Sequence, residues 1–407
     1  MRNAENLAQS IPMTLVPEIA ELTSDMKAWR HHIHARPETA FEETATSAFV
    51  ADKLRSFGLE VHTGLAKTGV VGVLRGGTGT VAIGLRADLD ALHILEKSGV
   101  PHASQVAGKM HACGHDGHTA MLLGAAAALA KKQAFDGTLY FIFQPAEENE
   151  GGGRVMVEEG LFKRFPMRAV YGMHNWPLLP AGTFAMRAGP LMGAYDVFEI
   201  VVTGKGAHAA MAYTGKDPML FVAHAISALQ TIVARNLHPL DAGVVSITQV
   251  HGGDTWNVIP QEVVLRGTVR SFTPAVQDLI EQRMRTIVAG IAATFDMTAT
   301  VRYERRYPAT VNAEMETRYA IAAASAVVGA ANVETDPMPS MGSEDFAFML
   351  QATPGCYVWL GAGRGPETPN VHNPHYDFND DVLAIGASYW VTLARQQLAV
   401  GEARKAA

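Results

Sequence analysis

The chain has 407 residues, of which 48% are hydrophobic and 18% charged, and its formal net charge is -7. This length allows two domains with their own cores, since domains usually span ~100–200 residues. The charges are dispersed, which argues against a nucleic-acid partner, and the two cysteines are too few for a disulfide framework.

The N-terminal residues carry no signal-peptide pattern, because Pro12, Pro17 and Glu18 interrupt the only apolar stretch. We expect the first dozen residues to form a loose arm. No run of ~18 consecutive apolar residues occurs, so no transmembrane helix is predicted. Sparse cysteine use is typical of a reducing compartment, and these features together predict a cytoplasmic protein.

Apolar residues at helical spacing predict two helices near the start, at Pro17–His34 and at Phe41–Phe57. Two β-branched runs follow at Val70–Leu74 and Val81–Leu85. The glycines between these runs predict a hairpin or a pair of neighbouring strands. The second run leads into the segment RADLD, which contains Asp90.

The stretch Met110–His118 reads MHACGHDGH and is the most chemically dense part of the sequence. Cys113 and His115 are two residues apart, so in a loop both can bind one metal ion, and thiolate and imidazole are common metal ligands. The Ala/Leu-rich stretch Thr119–Lys132 predicts a buried helix. Taken alone, the stretch also permits a loop whose histidines only cap that helix.

Further polar side chains follow the ends of predicted strands. The strand Thr138–Phe143 leads into Glu147 and Glu148, and the segment YGMHNW contains His174. Functional groups of open α/β sheets collect beyond the carboxyl ends of strands, where Asp90 is also expected. These residues are therefore candidates for one site.

Residues 194–304 have the order strand, helix, strand, strand, helix, strand, which is typical of a split, ferredoxin-like α+β unit. We interpret this region as an inserted domain, with residues 14–193 and 305–407 forming the catalytic domain. The predicted elements of the insert are strand Tyr195–Thr203, helix Pro218–Ala234, strands Gly243–Val250 and Val263–Ser271, helix Ala275–Phe295 and strand Thr298–Tyr303. Those that follow are helices Ala313–Ala331 and Ser343–Leu350, strand Cys356–Leu360 and a helix from Asp380.

Five candidate metal ligands come from four separate loops, namely Cys113, His115, Glu148, His174 and His372. One ion with an open catalytic position needs about three protein ligands, so five ligands with one bridging suit two divalent ions about 3.5–4 Å apart. Thiolate and imidazole suit zinc, cobalt or nickel, and the carboxylate also admits manganese.

Glu147 and Glu148 are adjacent, and neighbours on an extended backbone face opposite ways. One can then bind metal while the other faces the substrate as a general base. Such a pair usually lies on a solvated surface, but this pair directly follows an apolar strand, which favours a functional role. We predict that Glu147 deprotonates a metal-activated water that attacks a carbonyl carbon.

Six motifs occur in order along the chain, namely HACGHDGHTAMLLGAA, QPAEE, GMHNWP, GKGAHAA, MGSEDFAF and HNPHYDFND. Together they resemble the N-acyl-amino-acid amidohydrolase family, the hippurate-hydrolase and auxin-conjugate-hydrolase branch of the di-metal aminoacylase, carboxypeptidase and dipeptidase superfamily. The resemblance covers residues from about 25 to 395. It implies an α/β fold, with a di-metal aminopeptidase-like catalytic domain and an inserted ferredoxin-like lid or dimerisation domain.

The resemblance also implies that Cys113 bridges the two ions and that Glu147 is the general base. The other ligands would be His115, Glu148, His174 and His372. Asp90 resembles a carboxylate of the family that contacts a ligand imidazole and would fix its tautomer. Asp116 and His118 could act in the same way, or could cap a helix or lie at the surface.

In the insert, His208 of GKGAHAA resembles a histidine that stabilises the oxyanion of the tetrahedral intermediate. In relatives this histidine comes from a neighbouring subunit. The resemblance therefore implies a homodimer or higher homo-oligomer that forms through the insert.

Asn257 and Arg270 resemble lid residues that could bind the free carboxylate of a substrate, a task suited to a guanidinium group. Arg305 and Arg306 are alternatives to Arg270, because they lie near the end of the insert. Gly342, in MGSEDF, could line the pocket by letting the backbone approach the ligand.

The expected activity is hydrolysis of the amide bond of N-acyl or N-aroyl amino acids, such as hippurate-like compounds, to a carboxylic acid and a free amino acid. A dipeptidase or small carboxypeptidase is an alternative within the same chemistry. It would need an acidic group for the substrate's free amine, which the sequence does not locate. Two further alternatives are a thiol hydrolase with Cys113 as nucleophile and a non-catalytic metal-binding protein.

Overall fold

A computed structural model describes residues 14–148 and 150–400, so the expected N-terminal arm lies outside the described residues. The helices are α1 Pro17–Ala20, α2 Thr23–His34, α3 Thr44–Ser56, α4 His115–Lys131, α5 Gly152–Glu158, α6 Leu161–Arg164, α7 Pro218–Thr231, α8 Pro274–Thr294, α9 Glu314–Val328, α10 Phe346–Ala352 and α11 Leu383–Gln397. The strands are β1 Glu60–Leu65, β2 Gly69–Gly76, β3 Ala82–Asp88, β4 Gly137–Gln144, β5 Ala169–Pro180, β6 Phe184–Ala185, β7 Gly189–Met192, β8 Ala194–Thr203, β9 Ala207–His208, β10 Gly243–His251, β11 Val258–Ile259, β12 Glu262–Ser271, β13 Thr298–Tyr307, β14 Thr310–Asn312, β15 Val333–Glu334 and β16 Gly355–Gly363.

The chain divides into two compact units. The first comprises the described residues up to Leu191 together with Val311–Met338 and those from Asp345 onward. The second comprises Met192–Thr310 and the short segment Pro339–Glu344. The second unit is therefore slightly larger than the expected insert, because it extends to Met192 and Thr310 and includes a segment from later in the sequence.

The first unit is built on an eight-stranded sheet with the order β1-β2-β4-β3-β5-β16-β6-β15. The pairs β3–β4, β3–β5 and β5–β16 are parallel, whereas β2 is antiparallel to β1 and to β4. The predicted hairpin of β2 and β3 is wrong, because β4 lies between them. All seven residues of β3 are buried, which suits a central strand, and a glycine-rich link gives no information about such a distant partner.

The predicted Ala/Leu-rich helix is confirmed as α4, which is buried over most of its length. It packs with α2 and α11 in the hydrophobic core of the first unit. Cys356 is fully buried on β16, as expected. Because β3, β4 and β5 run parallel, the segments that follow Asp88 and Gln144 leave the same edge of the sheet.

The second unit has an antiparallel four-stranded sheet with the order β10-β12-β8-β13, and α7 and α8 pack against its core. The predicted order of strands and helices is observed, with the short β9 and β11 added. The segment Pro218–Asn236 is the one helix of the described chain that is long and apolar enough to cross a membrane by length and composition. Phe221, Ala225 and Leu229 of this segment are buried in the core of the second unit.

Candidate metal centre

Five residues from different elements of the first unit converge at one place. They are Cys113 before α4, His115 at its start, Glu148 after β4, His174 on β5 and His372 after β16. Cys113 Sγ lies 3.3 Å from His174 Nε2, and His372 Nε2 lies 3.0 Å from Glu148 Oε1. The structure therefore brings all five sequence-predicted ligands together.

These residues form groups whose potential ligand atoms lie within 4.8 Å of one another. One group contains Cys113, His115 and His174, and another contains Cys113, Glu148 and His372. Cys113 belongs to both groups, which is the arrangement that a bridging thiolate between two ions requires.

The residues present fit a metal ion. Nε2 of His115 is buried, and no hydrogen-bond partner for it exists within the described parts of the chain. A buried polar atom without a partner is costly, and a bound cation would satisfy this nitrogen. Thiolate, imidazole and carboxylate together suit divalent transition metals.

Asp90 holds two of the candidate ligands at once. Its Oδ1 lies 3.1 Å from His115 Nδ1, and its Oδ2 accepts a hydrogen bond from the backbone N–H of Glu148 at 2.9 Å. A carboxylate on Nδ1 fixes the tautomer of the imidazole and leaves Nε2 free to bind metal.

Asp88 is a residue of the site that the sequence interpretation missed. It is fully buried, with Oδ1 2.6 Å from His118 Nδ1 and Oδ2 accepting a hydrogen bond from Arg86 at 2.7 Å. His118 Nε2 in turn accepts a hydrogen bond from the backbone N–H of Asn175 at 2.9 Å, so His118 supports the site without an atom free to bind metal. The sequence feature that could have identified Asp88 is the alternation of Arg86, Asp88 and Asp90 at the end of a buried strand. Alternate residues of an extended backbone lie on the same face, so these three charges could be expected to lie together.

The charges around these residues favour a cation. Burial lowers the pKa of His115, but the carboxylates of Asp88 and Asp90 outweigh it and raise this pKa to about 10. Burial and the carboxylate of Glu148 raise the pKa of the Cys113 thiol well above its ordinary value. The protein alone therefore does not stabilise a Cys113 thiolate, whereas a bound divalent cation would.

Three residues in or next to the candidate ligand segments have a left-handed backbone conformation. Gly114 has φ +89°, and a Cβ added there would lie 2.6 Å from Tyr376 Oη. Ala146 and His372 are non-glycine residues with φ of 54° and 64°, a conformation that costs about 1–3 kcal/mol each. Such strain is common at functional sites, where the surrounding contacts hold it.

Two expectations about this region are wrong. Glu147 and Glu148 lie in a turn, not on an extended backbone, because Ala146 is left-handed. The alternative that histidines merely cap α4 also fails, since its N-cap is Gly114 and no side chain caps it. His111 is instead fully buried, and burial lowers its pKa to about 3.

Arg30 of α2 supports the segments that carry two of the candidate ligands, His115 and His372. It is fully buried and forms ion pairs with Asp116 at 3.3 Å, Asp377 at 2.7 Å and Asp380 at 2.9 Å. Asp116 follows His115 in the chain and is itself buried, so it neither caps α4 nor lies at the surface.

We expect Arg30→Met to lower the free energy of unfolding by about 3–5 kcal/mol, because it leaves the buried carboxylate of Asp116 and the half-buried ones of Asp377 and Asp380 without their cation. Urea unfolding followed by tryptophan fluorescence would measure this change. Arg55→Met is a matched control, because Arg55 pairs with Asp52 at 3.0 Å on the surface and its loss should have no measurable effect. Equal stability of the two variants would contradict the prediction.

The remaining predicted residues lie in the second unit. His208 is exposed on β9, and its Nδ1 accepts a hydrogen bond from Ala210 N at 3.1 Å, so the proton of a neutral ring sits on Nε2. Asn257 is exposed and its carbonyl accepts from Ala209 N. Gly342 is exposed and its N–H donates to the side chain of a serine at 3.0 Å.

Arg270 is half-buried, with its guanidinium 4.3 Å from the ring centre of Tyr195 and its Nε donating to Met341 O at 3.1 Å. It lines a cavity of about 500 Å³ on the sheet of the second unit, together with Arg306. Arg305 instead forms ion pairs with α8, so it does not compete for this cavity.

Comparison with known proteins identifies relatives over almost the whole chain. Residues 84–396 match the family model described as peptidase family M20/M25/M40. The chain is 40% identical to a hippurate hydrolase of Campylobacter jejuni, covering 95% of this chain and 100% of that protein. It is 39% identical to an N-acetyl-L-cysteine deacetylase of Bacillus subtilis, covering 93% and 89%.

A solved structure is also similar. It is a dinuclear metal-binding peptidase of the M20 family from Bacillus subtilis, with a TM-score of 0.81 and 34% sequence identity, covering 93% of this chain and 99% of that one. The likeness therefore extends beyond the motifs to the fold.

Proposed function

This chain belongs to peptidase family M20/M25/M40 and is a metal-dependent amidohydrolase, and on that premise we propose that it hydrolyses N-acyl or N-aroyl amino acids. The predicted family, fold class and enzyme class are thereby confirmed. The observation that carries the proposal is the 40% identity to a hippurate hydrolase over 95% of the chain. The products would be a carboxylic acid and a free amino acid.

The chain's own residues support this chemistry. When bound, two divalent ions supply Lewis acidity, which polarises a carbonyl group and lowers the pKa of water. Glu147 is buried and lies in one group with His115 and Glu148, yet the other five candidate ligands already suffice for two ions. We therefore assign Glu147 to take the proton of the attacking water and to deliver it to the leaving amine.

Four residues of the second unit are assigned to the substrate. Nε2 of His208 carries the proton and can donate to a developing oxyanion. Arg270 offers a guanidinium group to a free carboxylate, and Asn257 and Gly342 are assigned to substrate binding as well. Since hydrogen bonds to the oxyanion matter mainly in the transition state, His208 would act on kcat, whereas Arg270 would act on substrate binding.

Two divalent ions agree with the dinuclear metal-binding relative and with the position of Cys113 in two ligand groups. Zinc, manganese, cobalt and nickel all remain compatible with this set of thiolate, imidazole and carboxylate ligands. A cytoplasmic location is proposed because both cysteines, Cys113 and Cys356, are free thiols.

A homodimer through the second unit is also proposed, with a small-molecule substrate and neither nucleic acid nor membrane as partner. β10 is an edge strand of the sheet, and its Val244 and Val250 are exposed. Met219, Leu220 and Ile226 of α7 are exposed as well. Open edge strands and apolar helix surfaces are typical of regions that pair with a second copy.

A dipeptidase or carboxypeptidase is the second candidate, because a solved relative is described as a peptidase. A dipeptide differs from an N-acyl amino acid in the charged amine of its first residue. An enzyme for dipeptides needs a carboxylate for this amine, since a buried charge without a partner is costly.

The test is an activity screen of the metal-reconstituted enzyme, with release of the free amino acid as the readout. It would include N-acetyl, N-benzoyl and N-indoleacetyl amino acids, and N-acetylphenylalanine would be matched with alanylphenylalanine. We expect kcat/KM to be at least about tenfold higher for the N-acyl compound, because leaving the charged amine of the dipeptide unpaired should cost ~1.4 kcal/mol or more. Faster cleavage of the dipeptide would support the second candidate, and no cleavage of any compound would refute both.

A further inference from the structure

Glu43 is a buried carboxylate outside the candidate ligand set. It directly precedes α3 and is fully buried. One of its oxygens accepts a hydrogen bond from Thr68 Oγ1 at 2.6 Å, and the other accepts from the backbone N–H of Ala146 at 2.9 Å. Burial raises its pKa to about 7, against the opposing effect of the Thr68 hydrogen bond. Burying a carboxyl group costs free energy, so the two hydrogen bonds of Glu43 indicate which parts of the structure it supports.

The hydrogen bond to Ala146 lies at the turn that contains Glu147 and Glu148. Ala146 has φ 54°, and its carbonyl accepts a hydrogen bond from Gly152 N at 2.8 Å. A non-glycine residue persists in this conformation only when its surroundings hold it there. The hydrogen bond from Ala146 to Glu43 is one of these constraints.

Glu147 consequently lies between two backbone amides that are each held by a buried carboxylate. The amide before it, of Ala146, donates to Glu43, and the amide after it, of Glu148, donates to Asp90 at 2.9 Å. Asp90 also contacts a candidate metal ligand, whereas the side-chain hydrogen bonds of Glu43 join it to the turn and to Thr68. Positioning the turn is therefore a role that can be separated from metal binding.

We propose that Glu43 is a positioning residue that fixes the left-handed turn at Ala146 and thereby the direction of the Glu147 side chain. The proposal rests on the role of general base assigned to Glu147 in the proposed function. Because a misplacement of about 1 Å can cost ~10²-fold in rate, loss of this one hydrogen bond should act on kcat.

The experiment compares Glu43→Met with Glu43→Gln, which have similar side-chain volumes. Only glutamine keeps an oxygen that can accept the Ala146 N–H. With N-benzoylglycine as substrate, kcat should fall by about 30-fold or more in the methionine variant and by less than about fivefold in the glutamine variant, with KM little changed in both. Elemental analysis should find the same metal content in both variants. Hydrogen exchange of the Ala146 amide, followed by mass spectrometry, should be at least about tenfold faster in the methionine variant.

Glu38→Met is the matched control. The carboxylate of Glu38 accepts hydrogen bonds from Ala45 N at 3.0 Å and Thr46 N at 2.8 Å at the start of α3, and among the described residues no hydrogen bond joins it to the turn at Ala146. This variant should keep its kcat and its Ala146 exchange rate. Wild-type kcat in Glu43→Met, or a Gln variant no better than the Met variant, would overturn the proposal.

If Glu43→Met does not fold, Thr68→Val gives the same test in a milder form, since it removes the hydroxyl that orients the Glu43 carboxylate. Faster Ala146 exchange with a lower kcat would support the proposal, and no change in either would overturn it. Absence of hydrolysis of N-benzoylglycine and of the other N-acyl compounds by the wild type would refute the proposed function. The exchange measurement does not depend on activity, so it would still decide whether Glu43 holds the turn.

Discussion

Glu147→Gln is expected to lower kcat by about 10²–10⁴-fold, the usual contribution of a general base. Glutamine has nearly the same size and can occupy the same turn, but it cannot accept the proton of the attacking water. KM should stay close to that of the wild type, because the lost interaction belongs to the transition state. Steady-state kinetics on the best N-acyl substrate would measure both parameters.

Metal analysis separates this role from metal binding. Glu147→Gln should retain both ions, whereas Glu148→Gln is the matched control that should lose affinity for one of them, because Glu148 lies with Cys113 and His372 in a ligand group. Substantial activity of Glu147→Gln would contradict its role as base. Loss of metal from this variant would instead make Glu147 a ligand.

Chelation should reduce activity to the background rate, and added divalent ions should restore it. The physical reason is that the candidate ligands include a buried thiol with a raised pKa and a buried imidazole nitrogen, and both are stabilised by a cation. Dialysis against a chelator, followed by separate additions of zinc, manganese, cobalt and nickel, would measure the loss and the recovery. The ion that restores the highest kcat/KM at matched occupancy would identify the preferred metal.

Thiol alkylation distinguishes this result from a thiol hydrolase with Cys113 as nucleophile. Such an enzyme would lose activity on alkylation and keep it on chelation. In the metal enzyme, Cys113 is buried and would be protected while metal is bound, so alkylation should be slow before chelation and fast after it. Activity that survives complete metal removal would refute the metal-dependent mechanism for this chain.

The sequence predicted the parts of the site that depend on local signals. Cys113 and His115 are close in sequence, and Glu148 and His174 lie at or just beyond strands with a clear apolar pattern. Parallel strands end at one edge of a sheet, so these side chains could be expected to meet. The βαββαβ order of the insert was also predictable from local signals, since each of its helices and strands has its own hydrophobic periodicity.

The parts that were missed depend on long-range contacts. Glu43 and Ala146 are 103 residues apart, and nothing near Glu43 in sequence marks it as a partner of the turn at Ala146. The place of β4 between β2 and β3 is likewise set by pairing along the sheet rather than by the glycines that join the two strands. The turn at Glu147 could not be read from the sequence, because alanine seldom adopts a left-handed conformation.

The discontinuity of the first unit has a consequence for biosynthesis. Its strand β16 pairs with β5, so that Gly355 lies opposite Val170 although the whole stretch Met192–Thr310 is translated between them. That stretch carries its own core and can fold as soon as it leaves the ribosome, because domains generally fold as units during synthesis. The candidate ligand His372 emerges after both, so the nascent chain cannot offer all five candidate ligands to metal before residue 372 has been translated.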